Sequence, residues 1–153
     1  MAAFSFAVLI SGNGSNLQAM IDAIEKENIS GKICCVLSDK ENAYGLKRAS
    51  RAKIPIEVVS NKDFETREDF DTELVKVLST YKPDLIVLAG FMRILSPKFI
   101  NAFTEKILNI HPSLLPKYPG LNTHERVLKS SDKIHGITVH FVDESLDGGP
   151  ICA

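Results

Sequence analysis

Apolar positions along the chain switch between two rhythms, short unbroken runs and a three-to-four-residue spacing, and the switches mark its elements. Residues 4–10 form an apolar run that predicts a first strand, followed by the loop SGNGSN over 11–16. Leu17, Met20, Ile21 and Ile24 then recur at helical spacing on one face. Gly31 punctuates the chain before a second strand over 33–38. A short helix over about 45–53 leads to Pro55 and a brief strand over 56–59. The most regular segment follows: Phe70, Leu74, Val77, Leu78 and Tyr81 make an apolar stripe, with Glu68, Asp71 and Lys76 expected to face water. Lys82-Pro83-Asp84 ends that helix, and LIVLA over 85–89 reads as a strand buried on both faces. Ser96-Pro97 predicts an N-cap with proline at the first helical position, opening a helix to about 105. The strand 107–110 then runs into the proline-rich loop HPSLLPKYPG. Asn122 or Thr123 caps a short helix ending near Lys129, and Ile137, Val139 and Phe141 alternate with Thr138, His140 and Val142 in a further strand. DGGP over 147–150 is a turn, and 151–153 begins another strand.

Strands alternating with helices predict an α/β fold, a mostly parallel doubly wound sheet covered on both faces, here in a single domain over 1–153. Ligands of such sheets collect at the carboxyl ends of the strands. That rule brings the loop 11–16, the stretch 90–95 and the end of the strand 107–110 to one edge.

Composition narrows the possibilities without redirecting them. With 44% hydrophobic and 24% charged residues, the 153-residue chain has the make-up of a soluble globular domain. A net charge of −1 gives no reason to expect a nucleic acid or a membrane surface as partner. The apolar start from Ala2 lacks a basic leader and is too short to span a bilayer, so the cytoplasm is the expected compartment. Three cysteines make no disulfide framework; adjacent Cys34 and Cys35 are expected to face opposite ways as free thiols.

Candidate chemistry concentrates at the end of the strand 107–110. Side chains two apart share a face, so Asn109 and His111 stand together at its end, while Leu108 and Ile110 point the other way. An amide and an imidazole so placed suit a developing oxyanion, and a structural amide and histidine are the alternative. Gly12 and Gly14 let the first loop turn tightly, and Ser15 and Asn16 open a helix whose free N–H groups can seat a phosphate. A dinucleotide fingerprint, with Asp39 on the ribose, is the rival; its third glycine position holds Leu17, so a monophosphate seat is favoured. A carboxylate would keep His111 charged, and Asp143, Glu144 and Asp147 are the candidates. His124, His135 and His140 read as solvated or locally bonded, and no spacing suggests a metal.

Four segments together carry a resemblance: SGNGSNLQAM (11–20), LAGFMRILSP (88–97), ILNIHPSLLPKYPG (107–120) and HGITVHFVDESLDGGP (135–150). In order and spacing they resemble the phosphoribosylglycinamide formyltransferase family of folate-dependent enzymes, with its Rossmann-like fold. The resemblance implies formyl transfer from 10-formyltetrahydrofolate, a co-substrate, to the amine of glycinamide ribonucleotide in purine biosynthesis, without a metal. It implies Asn109, His111 and Asp147 as the catalytic triad and Gly14, Ser15 and Asn16 as the phosphate loop. For the folate it implies Arg67, Met92, Arg93, Ile94 and Leu95, with Asp143, Glu144, Ser145 and Leu146. Members of the family continue past DGGP through a further strand and a helix, so the fold is expected here without its C-terminal part and with reduced stability. Two alternatives remain in view: a formyltransferase of the methionyl-tRNA type, which shares the triad and an SLLP loop, and a ribonucleotide-binding module without catalysis. The near-neutral charge and the SGNGSN loop weigh against the first, and the complete triad against the second.

Overall fold

A computed structural model describes residues 3–153; Ala2, where the apolar start begins, lies outside the described residues. Six strands form one sheet: β1 (Ser5–Ile10), β2 (Lys32–Ser38), β3 (Ile56–Val58), β4 (Leu85–Leu88), β5 (Ile107–His111) and β6 (Thr138–Phe141), in the order β3-β2-β1-β4-β5-β6. All neighbours pair parallel except β5 and β6, which are antiparallel. The helices are α1 (Ser15–Glu25), α2 (Tyr44–Arg51), α3 (Arg67–Tyr81), α4 (Pro97–Ala102) and α5 (Thr123–Leu128). The expected doubly wound α/β sheet is the observed one.

The sheet is sandwiched because its central strand has no polar face. Every residue of β1 is buried. Ala7 and Leu9 pack with Leu37, Ile86 and Leu88 against Phe70, Leu74 and Leu78 of α3 and Phe99 of α4. Phe6, Val8 and Ile10 pack on the opposite face against Leu17 and Ile21 of α1 and Leu46 and Ala49 of α2. Leu17, at the third glycine position of a dinucleotide fingerprint, is wholly buried there.

Four details depart from the sequence reading. Asp71 does not face water: it is fully buried on α3. The pairing of β1 with β2 slips between Phe6 and Ala7, skipping Cys34, and this bulge turns both Cys34 and Cys35 toward the α3 side of the sheet. They are free thiols, yet they do not face opposite ways. On β6 the buried positions are Thr138 and His140, while Ile137 before it is exposed. Finally, α4 stops at Ala102, short of residue 105, and Ser96 caps it without a side-chain hydrogen bond.

The strand order reverses between β1 and β4, so the loops leaving them separate and open a crevice at the carboxyl edge. Two contacts span it: Met92 N–H donates to Ser11 Oγ at 2.8 Å, and Arg93 reaches across to Asp39, just after β2.

Candidate active site

β5 supplies the centre. His111 ends it and is buried, while Asn109 two residues earlier is half-buried on the same side. Antiparallel pairing sets Asn109 opposite His140 and His111 opposite Thr138. That register, which no local pattern reveals, carries His140 into the site. It is buried at 2% exposure, so it is not a solvated histidine. Its Nδ1–H donates to the Phe141 carbonyl at 2.9 Å, leaving Nε2 as the acceptor that meets Asn109 Nδ2 at 3.3 Å. His140 thereby orients the amide.

The DGGP turn brings in the carboxylate. Asp147 adopts a left-handed conformation (φ 52°) and reaches both imidazoles, with Oδ2 3.6 Å from His111 Nδ1 and Oδ1 3.7 Å from His140 Nε2. Gly120 N–H donates to Oδ2 at 2.8 Å, tying the turn to the proline-rich loop. His111 Nε2 donates to the Tyr118 carbonyl at 2.9 Å. A neutral imidazole with its proton there would turn a lone pair toward Asp147, whereas the imidazolium would also direct an N–H toward that carboxylate. Asn109 and His111, neighbours on β5, and Asp147, from a turn much later in the chain, are one cluster.

The first loop is built for a close approach. Gly14 caps α1 in a left-handed conformation (φ 76°) without any side-chain cap, leaving the first amides of α1 unclaimed by one. A Cβ on Gly14 would stand 2.7 Å from Gly45 Cα, and a Cβ on Gly45 would collide with Ile10, so α2 and the loop touch backbone to backbone. Arg48 of α2 fixes the loop by donating from Nε to the Asn13 carbonyl at 2.8 Å and from a terminal nitrogen to Asn13 Oδ1 at 2.7 Å. Nothing in the periodicity marks Arg48 for this role. The short connection from β1 to α1 places Gly14, Ser15 and Asn16 on the sheet edge that also carries Asn109 and His111, because β1, β4 and β5 run parallel.

Residues implied for the folate divide into three groups. Arg67, Met92, Arg93 and Ile94 line one cleft of about 350 Å³, together with Asn61, Phe64, Glu65, Thr66 and Phe70. Leu95 does not present its side chain there, because it is buried in the core. Asp143, Glu144, Ser145 and Leu146 form an exposed turn that is not among the residues lining this cleft. Arg93, moreover, turns its guanidinium to Asp39 at 2.9 Å. Asp39 is buried in that ion pair, which excludes the ribose-binding role considered for it. His124 and His135 bond each other at 2.7 Å on the surface, as locally bonded histidines do. Among the described residues no cluster of His, Cys, Asp and Glu is suited to a metal ion, and no helix is long and apolar enough to cross a membrane.

A doubly wound sheet presenting an amide, two imidazoles and a carboxylate beside a glycine loop has the groups that suit an enzyme of group transfer at a carbonyl carbon. The chain belongs to the formyl transferase family, which matches residues 4–153. It is 52% identical over 147 residues to phosphoribosylglycinamide formyltransferase of Escherichia coli, covering 96% of this chain and 69% of that protein. The Haemophilus influenzae protein of the same name is 54% identical over 145 residues, covering 95% and 68%. The structure of the Coxiella burnetii phosphoribosylglycinamide formyltransferase superposes with a TM-score of 0.92 at 49% identity, covering 98% of this chain and 70% of that one. The chain thus spans about two thirds of the length of these relatives.

Proposed function

We propose that this formyl transferase moves the formyl group of 10-formyltetrahydrofolate to the primary amine of glycinamide ribonucleotide, a step of purine biosynthesis in the cytoplasm. The observation that carries the reading is the meeting of Asn109, His111 and Asp147 at the end of β5, on the edge that also bears the Gly14 loop. The ribonucleotide phosphate sits on the amides of Gly14, Ser15 and Asn16, where unpaired N–H groups and the helix dipole favour an anion. The folate donor enters beside Met92 and Ile94, with exposed Arg67 lining the same cleft. Because Asp39 engages Arg93, Arg67 is the cation of that cleft offered to an anionic part of the donor.

The amine attacks the formyl carbon, and the carbonyl π electrons move to oxygen, giving a tetrahedral species. Asn109 Nδ2–H and the imidazolium of His111 stabilise that oxyanion. For His111 to donate from Nε2, the substrate oxygen takes the place of the Tyr118 carbonyl, so the 118 backbone moves aside on binding. Asp147, 3.6 Å from His111 Nδ1, relays the proton from the attacking nitrogen to the departing folate nitrogen, directly or through water. The carbon–nitrogen bond to the folate then breaks as the carbonyl re-forms, releasing tetrahydrofolate and the formylated ribonucleotide. His140 acts through Asn109, whose amide it orients. The three free thiols are consistent with a reducing compartment.

Spectrophotometric folate turnover with glycinamide ribonucleotide as acceptor tests the reading. His111→Asn is expected to lower kcat by about 10²–10³, the usual loss for one oxyanion donor, while ribonucleotide binding persists. A variant with the parent's kcat refutes the assignment.

A further inference from the structure

The stretch between β4 and α4 contains no helix or strand, yet three of its residues, Met92, Arg93 and Ile94, line the proposed donor cleft. A segment without a hydrogen-bonded ladder has little rigidity of its own. Three side chains from three separate parts of the chain reach it. Ser11, just after β1, accepts Met92 N–H at 2.8 Å. Asp39, just after β2, accepts Arg93 Nε–H at 2.9 Å. Asp71 of α3 accepts Ser96 N–H at 2.6 Å. All three are buried, at 4%, 2% and 0% exposure.

Packing alone gives no reason for carboxyl groups at two of these places. Asp71 lies between Phe70 and Leu74, on a helix face that otherwise buries apolar side chains. Asp39 follows a strand whose last four residues are fully buried. Both carboxyls keep one buried oxygen without a partner, as does the Ser96 hydroxyl. Half-satisfied buried polar groups destabilise a fold, so their concentration around one loop points to a demand on that loop rather than on the core.

We propose that Asp39 and Asp71, assisted by Ser11, are positioning residues that hold the 90–96 loop as the fixed wall of the donor cleft; this rests on the folate reading of that cleft. They touch neither substrate nor reacting atoms. Their effect is to set where Met92 and Ile94 stand when the donor arrives, so the donor, and not the ribonucleotide, senses their loss.

The test uses Asp39→Ala and Asp71→Ala, with the conservative Asp39→Asn and Asp71→Asn. KM is measured separately for donor and ribonucleotide, and amide hydrogen exchange is followed over 90–96. Each alanine variant is expected to raise the donor KM by about tenfold, the worth of one charge-assisted hydrogen bond, with the ribonucleotide KM unchanged and exchange faster at 92–96. Asp71→Asn, whose amide oxygen can accept the same Ser96 N–H, recovers most of the donor KM. If both KM values rise together, or exchange quickens with the donor KM unchanged, the proposal is overturned. Should an alanine variant fail to fold, Ser11→Ala and the asparagine variants carry the same comparison. A wild-type chain that turns over no folate overturns the donor reading itself, and exchange over 90–96 still decides whether the side chains brace the loop.

Discussion

Gly149→Ala separates the positioning of the carboxylate from its chemistry. Gly149 is buried, and a Cβ built on it would overlap the Phe141 carbonyl oxygen while lying 3.0 Å from the Phe141 carbonyl carbon and 3.4 Å from Asp143 N. Every obstructing atom is backbone, so no side chain can swing away. Non-bonded heavy atoms settle at about 3.5–4.0 Å, so the turn and β6 must part by roughly 1 Å or more. The Phe141 carbonyl also receives the Nδ1–H of His140, and Asp147 stands two residues from the new methyl. Both the group that orients Asn109 and the group that pairs with His111 therefore shift. Overpacking of this kind costs about 1–3 kcal/mol. A chain of this size loses about 2–4 °C in Tm per kcal/mol, so a drop of about 6 °C is expected. A displacement of about 1 Å at reacting groups can cost on the order of 10² in rate. The assay is folate turnover at saturating substrates beside a thermal melt of the same preparation. A variant with the parent's kcat and Tm would show that the turn does not set the position of Asp147, and the reasoning would fail.

Three further outcomes follow from other contacts. Arg48→Met removes both bonds to Asn13, so the ribonucleotide KM should rise severalfold with kcat little changed, as separate kinetics in the two substrates will read. Leu78→Ala empties a fully buried site under the sheet and should lower stability by about 2–5 kcal/mol in denaturant unfolding, with the m-value unchanged. The Cys34 thiol is lowered to about 7, chiefly by a hydrogen bond from the Cys35 thiol, while that bond and burial push Cys35 upward. Iodoacetamide should therefore alkylate Cys34 with a half-maximal rate near that pH, and Cys35→Ala should move the midpoint up toward the ordinary thiol range; an unmoved midpoint refutes the coupling.

The layers and the edge were legible in the chain's local pattern. Apolar runs such as LIVLA and the Phe70–Tyr81 stripe report burial at a local period, and local period is what a strand or helix converts into a face. Glycines at 12 and 14, followed by a helix, and Asn109 two residues from His111 are likewise local facts, so the loop and the pair could be read directly. What depended on register could not. His140 joins the site because β6 pairs antiparallel with β5 and sets it opposite Asn109, a choice made across 31 residues of chain. Cys34 and Cys35 share a face only because the ladder beside β1 slips by a residue. Asp71 is buried because a backbone amide of Ser96, 25 residues away, arrives to meet it; alone on a helix, an aspartate at that position belongs in water. Asp39, Arg48 and Tyr118 follow the same rule. Each is an ordinary polar residue in its own segment, and only the tertiary structure supplies the partner that gives it a role.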